Sequence, residues 1–501
     1  RRRSLPADGA GIRRHAVCLD PFETLVAITK GKGTEMKRTL LASALFAVFA
    51  IPSVALATDG YFAHGYGMKA KGMGGASAAM TSDTFGGANN PATMVWAGDR
   101  LDVGVDLFSP RRSVSRQGSN GPFSPTGQYD GSVDSDSNYF LIPEFGYNRM
   151  LGWNMSAGVT VYGNGGMNTD FNGTQAGGAG APSFAPSCAG ARSNMLFGCG
   201  KLGVDLTQLI IAPTFAYKVN ANHSFGISPL FGYQRFKVDG LQAFGETLDM
   251  DGPGPAPAGT FTSSQGKVTN NGYDSSTGWG VRIGWFGKLS DTVSLGASYS
   301  SKMRMSAFDK YKGLFAEAGG FDIPENYNFG IAVKATPKAT IAFDIQQINY
   351  SKIRSVANGV SNSLASMATT GFPVTPNRLG ESNGSGFAWR DQTAFKLGME
   401  YEYNKDLILR AGYNYGKSPV RGDTLNDVTF NIIAPGVVEQ HLTLGTTWTL
   451  ANKNELTVSY MHAFRNSVTG PSVTSLLAVG GTETLKMYQN SLGIAYGIKL
   501  K

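Results

Sequence analysis

Strict alternation of apolar and polar residues runs through most of the chain. In "KLSDTVSLGASY", Lys288 to Tyr299, the side chains of Val293, Leu295, Ala297 and Tyr299 fall on one face and those of Ser294, Gly296 and Ser298 on the other. A period of two marks an extended strand with unlike faces. The same phrase, a polar cluster followed by alternation, returns as "KVNANHSFGISP" at Lys218, "KATPKATIAFDI" at Lys334, "EYNKDLILRAGY" at Glu402 and, more loosely, "LANKNELTVSYM" at Leu450. Elsewhere Phe395, Leu397, Met399 and Tyr401 oppose Lys396, Gly398 and Glu400, and Leu492, Ile494, Tyr496 and Ile498 oppose Gly493, Ala495 and Gly497. The apolar face is rich in aromatics, the other in Gly, Ser, Asn and Lys. A transmembrane barrel has this pattern, with lipid outside and a polar lumen inside. A secreted all-β adhesin or sandwich shares the alternation but needs its apolar face turned inward.

The polar clusters predict tight turns at 150–152, 220–222, 289–291, 336–338, 404–406 and 451–454. Six such turns join twelve strands, and a first strand near 99–112 and a last near 485–499 bring the number to fourteen, an even number as antiparallel closure requires. Between the hairpins, long loops rich in Gly, Pro, Ser and Asn are expected near 113–136, 164–203, 240–272, 306–322, 353–389, 418–437 and 467–484. The predicted fold class is therefore all-β, a fourteen-stranded antiparallel transmembrane β-barrel occupying 99–501.

Composition narrows the reading. Only 16% of the 501 residues are charged, against about 25% in soluble domains, while Gly (66), Tyr (20) and Phe (29) are abundant. Residues 1–57 hold nine Lys/Arg and four Asp/Glu, which leaves 35 basic and 32 acidic residues from Thr58 onward. That near balance argues against a nucleic-acid partner, which needs a basic stripe. "MKRTLLASALFAVFAIPSVALA", Met36 to Ala57, reads as a signal peptide, with a basic start, an apolar run and a small-x-small cleavage site. Residues 1–35 are then an upstream extension without a folded role, and export places the mature chain outside the cytoplasm. The two cysteines of that mature chain, Cys188 and Cys199, are expected to form a loop disulfide. No His or carboxylate pair lies near them at ligand spacing, so neither a metal nor another cofactor is expected.

Thr58 to Gly98 breaks the alternation. The segment is rich in Gly and Ala and carries Met68, Met73, Met80 and Met94, a composition suited to a compact plug inside a lumen. "GYGMKAKGMGG" within it lacks the Gly-Lys-Ser/Thr of a phosphate loop, which argues against nucleotide binding.

The plug with "NNPATM" (Asn89 to Met94), then "GVTVYGNGGM" (Gly158 to Met167), "WRDQTAFKLGMEYEYNKDLILRAGYNYGKSPV" (from Trp389) and "NIIAPGVVEQHLTLG" (from Asn431) together resemble the FadL family of outer-membrane transporters for long-chain fatty acids and other hydrophobic compounds. The resemblance spans Thr58 to Lys501 and implies a fourteen-stranded barrel closed by an N-terminal hatch at 58–98. It places the hatch motif on Asn90, Pro91 and Ala92, and a kinked third strand that opens the wall sideways on Tyr162, Gly163, Gly165 and Gly166. By the same resemblance these two segments meet in the wall. The implied partners are a hydrophobic small molecule (fatty acid, alkane or aromatic) and the surrounding outer-membrane lipid and lipopolysaccharide, with the protein a monomer.

Ligand contacts are expected from two places. Phe308, Tyr311, Leu314 and Phe315 recur at helical spacing beside Lys310 and Lys312, as in an apolar landing site near cations, or in a loop helix that only packs on its neighbours. Phe62 and the four hatch methionines are candidates for a lumen pocket, or for plain packing. His441, Glu439, Glu400, Lys396, Arg410 and Asp391 are expected to point inward as a polar network. The only adjacent His-Ser pair, His223-Ser224, falls in a short turn, so no catalytic residue is assigned and an enzyme is not expected. A water-filled general porin for small polar solutes is the alternative.

Overall fold

The computed structural model describes residues 59–120, 127–172, 181–248, 259–363, 372–422, 428–472 and 480–500; the upstream extension and signal peptide expected at 1–57 lie outside them. Fourteen antiparallel strands form the wall: β1 (Arg100–Gln117), β2 (Phe140–Met150), β3 (Met155–Phe171), β4 (Leu202–Lys218), β5 (His223–Asp239), β6 (Asp274–Lys288) and β7 (Val293–Ser300). They continue as β8 (Asn326–Thr336), β9 (Ala339–Ile348), β10 (Gln392–Asn404), β11 (Leu407–Gly416), β12 (Gln440–Thr449), β13 (Glu455–Pro471) and β14 (Thr482–Lys499). Each pairs with the next, and β14 pairs with β1 from Lys499↔Arg100 to Thr482↔Gln117, so the sheet has no free edge. In lipid this closure is obligatory, since an unpaired backbone group there has no water to bond. Among the described residues, no helix is long and apolar enough to cross a membrane.

All six expected turns lie between hairpin strands, for example 219–222 between β4 and β5 and 405–406 between β10 and β11. Several strands outrun their sequence-based limits. β1 reaches Gln117, β3 continues through the glycines to Phe171, and β13 runs to Pro471, so the loops begin later than 113, 164 and 467. A span needs about 9–11 residues; β1, β3, β4, β5, β13 and β14, at 17 or 18 residues, therefore project well beyond the bilayer on the long-loop side. Val103, Val105, Leu107, Leu397, Leu409, Leu444, Leu492 and Ile494 all stand exposed on the outer wall, a surface that only lipid can cover.

Residues 59–98 form no barrel strand. They hold a one-turn helix at Met68–Lys71 and 3-10 turns at Thr84–Gly87 and Pro91–Trp96, and nearly all of them are buried. Their polar bonds reach inward-facing side chains around the circumference. Lys71 Nζ lies 2.9 Å from Asp106 of β1, Asp344 of β9 accepts from the Ser77 and Ala78 amides at 2.9 Å, and Lys69 Nζ lies 2.6 Å from Glu455 of β13. Lys396 of β10 donates to the His64 carbonyl at 2.8 Å and Thr443 of β12 accepts from the Gly74 amide at 2.8 Å. Buried ions must be paired to offset desolvation, and removing one partner of such a pair costs about 3–5 kcal/mol. The polar lumen face of the strands is thus matched to this segment residue by residue.

Candidate functional site

Beside β3 the wall is interrupted. The β2–β3 ladder runs only from Met150↔Ser156 to Phe145↔Val161. On its other side β3 pairs with β4 throughout, from Met155↔Tyr217 to Phe171↔Leu202, but with a bulge: Gly163 faces Leu209 and Gly165 faces Gln208, so Asn164 is the extra residue. An extra residue bends the strand that carries it, and here β3 leaves β2. Farther out the two segments meet again, where the Asp136 amide donates to the Asp170 carbonyl at 2.8 Å and Arg112 donates to the carbonyls of Asn168 and Ser137. Residues 140–144 of β2 and 162–167 of β3 therefore border a window in the wall.

The backbone groups that β3 withdraws from β2 are taken up from inside. Phe62 makes an antiparallel bridge with Gly165, the Ala63 amide donates to the Asn164 carbonyl at 3.2 Å, and the Gly166 amide donates to the Tyr61 carbonyl at 3.2 Å. Tyr61 and Phe62 join Tyr350 and Trp389 in an aromatic cluster with ring centroids 5.2–6.1 Å apart, and Trp389 is fixed by its indole N–H, 2.6 Å from Asn431 Oδ1. Beside this cluster a narrow apolar cleft runs between Phe108, Met167, Met487 and Ala434; among the described residues Arg112 is the one charged residue in its lining.

A second, narrow apolar cavity lies among the long loops. Phe236, Phe244, Leu314, Phe315, Phe387 and Ile433 dominate its lining, and among the described residues no charged one takes part. The two cavities share their partition, because Phe387 and Ile433 line the outer one while Trp389 and Ala434 line the inner one.

Residues 198–500, more than half of the chain, match the family described as outer membrane protein transport protein (OMPP1/FadL/TodX). The chain belongs to the FadL/TodX family. Its members are outer-membrane transport channels for hydrophobic compounds rather than enzymes, and the protein is a multi-pass barrel of the outer membrane. Solved structures share the FadL/TodX fold at low identity. The Pseudomonas aeruginosa FadL homologue superposes with a TM-score of 0.62 at 16% identity over 88% of this chain and 100% of its own. The P. putida toluene transporter TodX gives 0.58 at 17% over 87% and 99%, and the Ralstonia pickettii toluene transporter TbuX 0.55 at 16% over 87% and 99%. No curated protein matches the chain in sequence.

Within this FadL/TodX frame the residues singled out by sequence fall into distinct places. Asn90–Ala92 do not meet the β3 glycines. Asn90 Nδ2 donates to the Ala78 and Trp285 carbonyls at 2.8 and 2.9 Å, and a methyl group at Gly226 would stand 2.3 Å from Pro91, so the motif is seated on β5 and β6. The contact expected from it is made by Tyr61–Ala63 instead. Phe62 reaches the bulge, whereas Met68 packs on Ser459 and against Gly493, Met73 and Met80 pack with Ala332 and Ala342, and Met94 packs with Ala216 and Met150. The loop expected to be helical holds only a 3-10 turn at Asp309–Tyr311 and a short bend at Ala316–Gly319. Phe308 and Tyr311 are packed on Phe236 and wholly buried; Leu314 and Phe315 line the outer cavity. Burial pushes the Tyr311 hydroxyl up to about 12, and it donates to the Gly272 carbonyl at 2.5 Å. Cys188 and Cys199 are joined in a disulfide in the 172–201 loop.

Of the residues expected to face the lumen, Lys396, Arg410 and His441 are buried there, and Glu400 pairs with Arg410 at 2.7 Å. Asp391 and Glu439 instead sit at strand ends, where they accept from Ser351 and from the Ser418 amide. Tyr61, Trp389, Ala434 and Asn164 escaped sequence reasoning. An Asn between glycines within an alternating run was the available signal for the bulge.

Proposed function

We propose that the chain takes up hydrophobic compounds, long-chain fatty acids or hydrocarbons, from outside the cell and releases them sideways through the window between β2 and β3. The observation that carries this reading is the end of the β2–β3 ladder at Phe145↔Val161 beside an apolar cleft. Moving one methylene from an apolar surface into water costs about 0.8 kcal/mol, so release of a long chain into periplasmic water is strongly opposed and release into lipid is not. The outer cavity supplies the first apolar surface; Phe387, Trp389, Ile433 and Ala434 form the step to the inner cleft, and the bulge supplies the exit. The apolar lining of the outer cavity, with no charged side chain among the described residues, favours uncharged hydrocarbons over carboxylates. Residues 59–98 act as the hatch that keeps this route separate from an aqueous pore.

Deleting Asn164 removes the one extra residue of β3 while keeping Gly163 opposite Leu209 and Gly165 opposite Gln208. The strand can then straighten and extend its ladder toward Phe140. Uptake of radiolabelled toluene and of a long-chain fatty acid by cells carrying this variant should fall to the level of cells without the protein, with the barrel still folded by heat-modifiable gel migration. Undiminished uptake through a variant whose restored β2–β3 pairing is seen by amide exchange would exclude the lateral route.

A further inference from the structure

Outside the transport route, the outer wall carries a cationic cleft at the level where the apolar belt ends. On β1 the outward residues run Val103, Val105, Leu107, then Ser109, Arg111 and Ser113. Arg111 lies four positions past Leu107, about 13 Å farther along the strand toward the long loops. The ladder places Tyr488 opposite Arg111 and Lys486 opposite Ser113, and Lys486 is also opposite Ser467 of β13. Between Ala463 and Asn466 the β13 register shifts, and Arg465 falls in that irregularity.

Together these residues border an open cleft. Among the described residues its lining holds four cations, Arg111, Arg112, Arg465 and Lys486, against two carboxylates, Asp134 and Asp136. Asp136 already accepts from Asn172 Nδ2 at 2.7 Å, and Arg112 is spent on backbone carbonyls. Among the described residues, no ion pair ties Arg111, Arg465 or Lys486 to a carboxylate within 4.0 Å. Two of the three are held in place by aromatics instead. The Arg111 guanidinium lies 4.9 Å over the Tyr139 ring and donates to its hydroxyl at 2.6 Å, and that of Arg465 lies 5.2 Å over Tyr488. A guanidinium stacked on a ring keeps its N–H edges directed outward, and those edges suit the oxygens of a phosphate.

We propose that this cleft on β1, β13 and β14 binds the phosphate groups of the phosphorylated glycolipid that forms the outer leaflet around the barrel. Its acyl chains would lie on the Val103–Leu107 belt directly below. Arg111, Arg465 and Lys486 line neither apolar cavity of the uptake route, so failure of this proposal leaves that reading untouched.

The test is native mass spectrometry of the full protein in neutral detergent, titrated with bis-phosphorylated lipid A, with the same lipid stripped of phosphate, and with inorganic phosphate. The intact protein should bind the phosphorylated lipid, and replacing Arg111, Arg465 and Lys486 together by Gln should weaken that binding by about a hundredfold, about fivefold for each cation at a membrane surface. Arg465→Gln alone, which leaves both ladders intact, should weaken it about fivefold and serves if the triple variant does not fold. Equal binding of the dephosphorylated lipid would make this an acyl-chain contact only. Competition by inorganic phosphate alone at low millimolar concentration would make it a free-anion site. Either result, or unchanged binding by the folded variants, overturns the proposal.

Discussion

At Gly165 the backbone of the wall comes into close contact with the backbone of residues 61–63. A Cβ built there would stand 1.7 Å from the Tyr61 carbonyl oxygen and 3.3 Å from Phe62 Cα, so no side chain fits without moving the 61–63 segment off the bulge. Gly165→Val should therefore break the Ala63–Asn164 and Gly166–Tyr61 hydrogen bonds, a loss of about 1–3 kcal/mol for two backbone bonds. Hydrogen exchange should report it as faster exchange at the Ala63 and Gly166 amides, with the β4–β5 ladder unchanged. Wild-type protection at both amides in the variant would mean that the hatch does not depend on this contact. The glycines at 163–166 were legible in the sequence as a place where a strand bends. Their partner was not, because Tyr61 lies about a hundred residues away and nothing local marks it.

Among the elements, the loop at 172–201 is the one with its own covalent tie. Cys188 and Cys199, eleven positions apart, are bridged, and Gln242 Oε1 accepts from the Cys199 amide at 3.3 Å, linking this loop to the next. Closing a loop of that size stabilises by about 3 kcal/mol in the chain-entropy account. That benefit is local, since the barrel ladder has its own hydrogen bonds. Replacing both cysteines by Ser should raise protease cleavage within 181–199 several-fold and leave the unfolding of the barrel in denaturant unchanged. A matching shift of the whole barrel transition would show instead that loop and barrel unfold as one unit. Strand positions were readable because in lipid each residue's partner medium, hydrocarbon or lumen, is set by its own parity along the strand. The loop at 305–321 was not. Its apolar spacing fits a helix, but the tertiary requirement to cover Phe236 with Phe308, Tyr311 and Phe315 outweighs that preference, and the chain folds as a 3-10 turn and a bend.

For the whole molecule, the charged lumen face is complementary to residues 59–78, and in the proposed reading the two form one seal. Asp106, Asp344, Lys396, Thr443 and Glu455 all bond to residues within 59–78. Without that segment they would line a polar channel down the barrel. Deleting Thr58–Trp96 should thus convert a protein of low single-channel conductance in planar bilayers into one that conducts ions freely. A large conductance in the intact protein would instead favour a water-filled porin.

The sequence alone determined the fourteen strands, their turns, the outward and inward faces and the presence of a non-strand segment before them. Each of these follows from a local rule, since parity, turn chemistry and composition act over a few residues. The tertiary structure decided where residues 59–98 touch the wall. Asn90–Ala92 could as well have met β3, and only packing seats them on Gly226 and Trp285 of β5 and β6 while Tyr61–Ala63 take the bulge. It also decided that Trp389 and Ala434, from two separate loops, stand beside Met167 of β3 in one cleft. Such contacts join residues tens to hundreds of positions apart, and their choice depends on the summed fit of the closed barrel, which no short stretch of sequence contains.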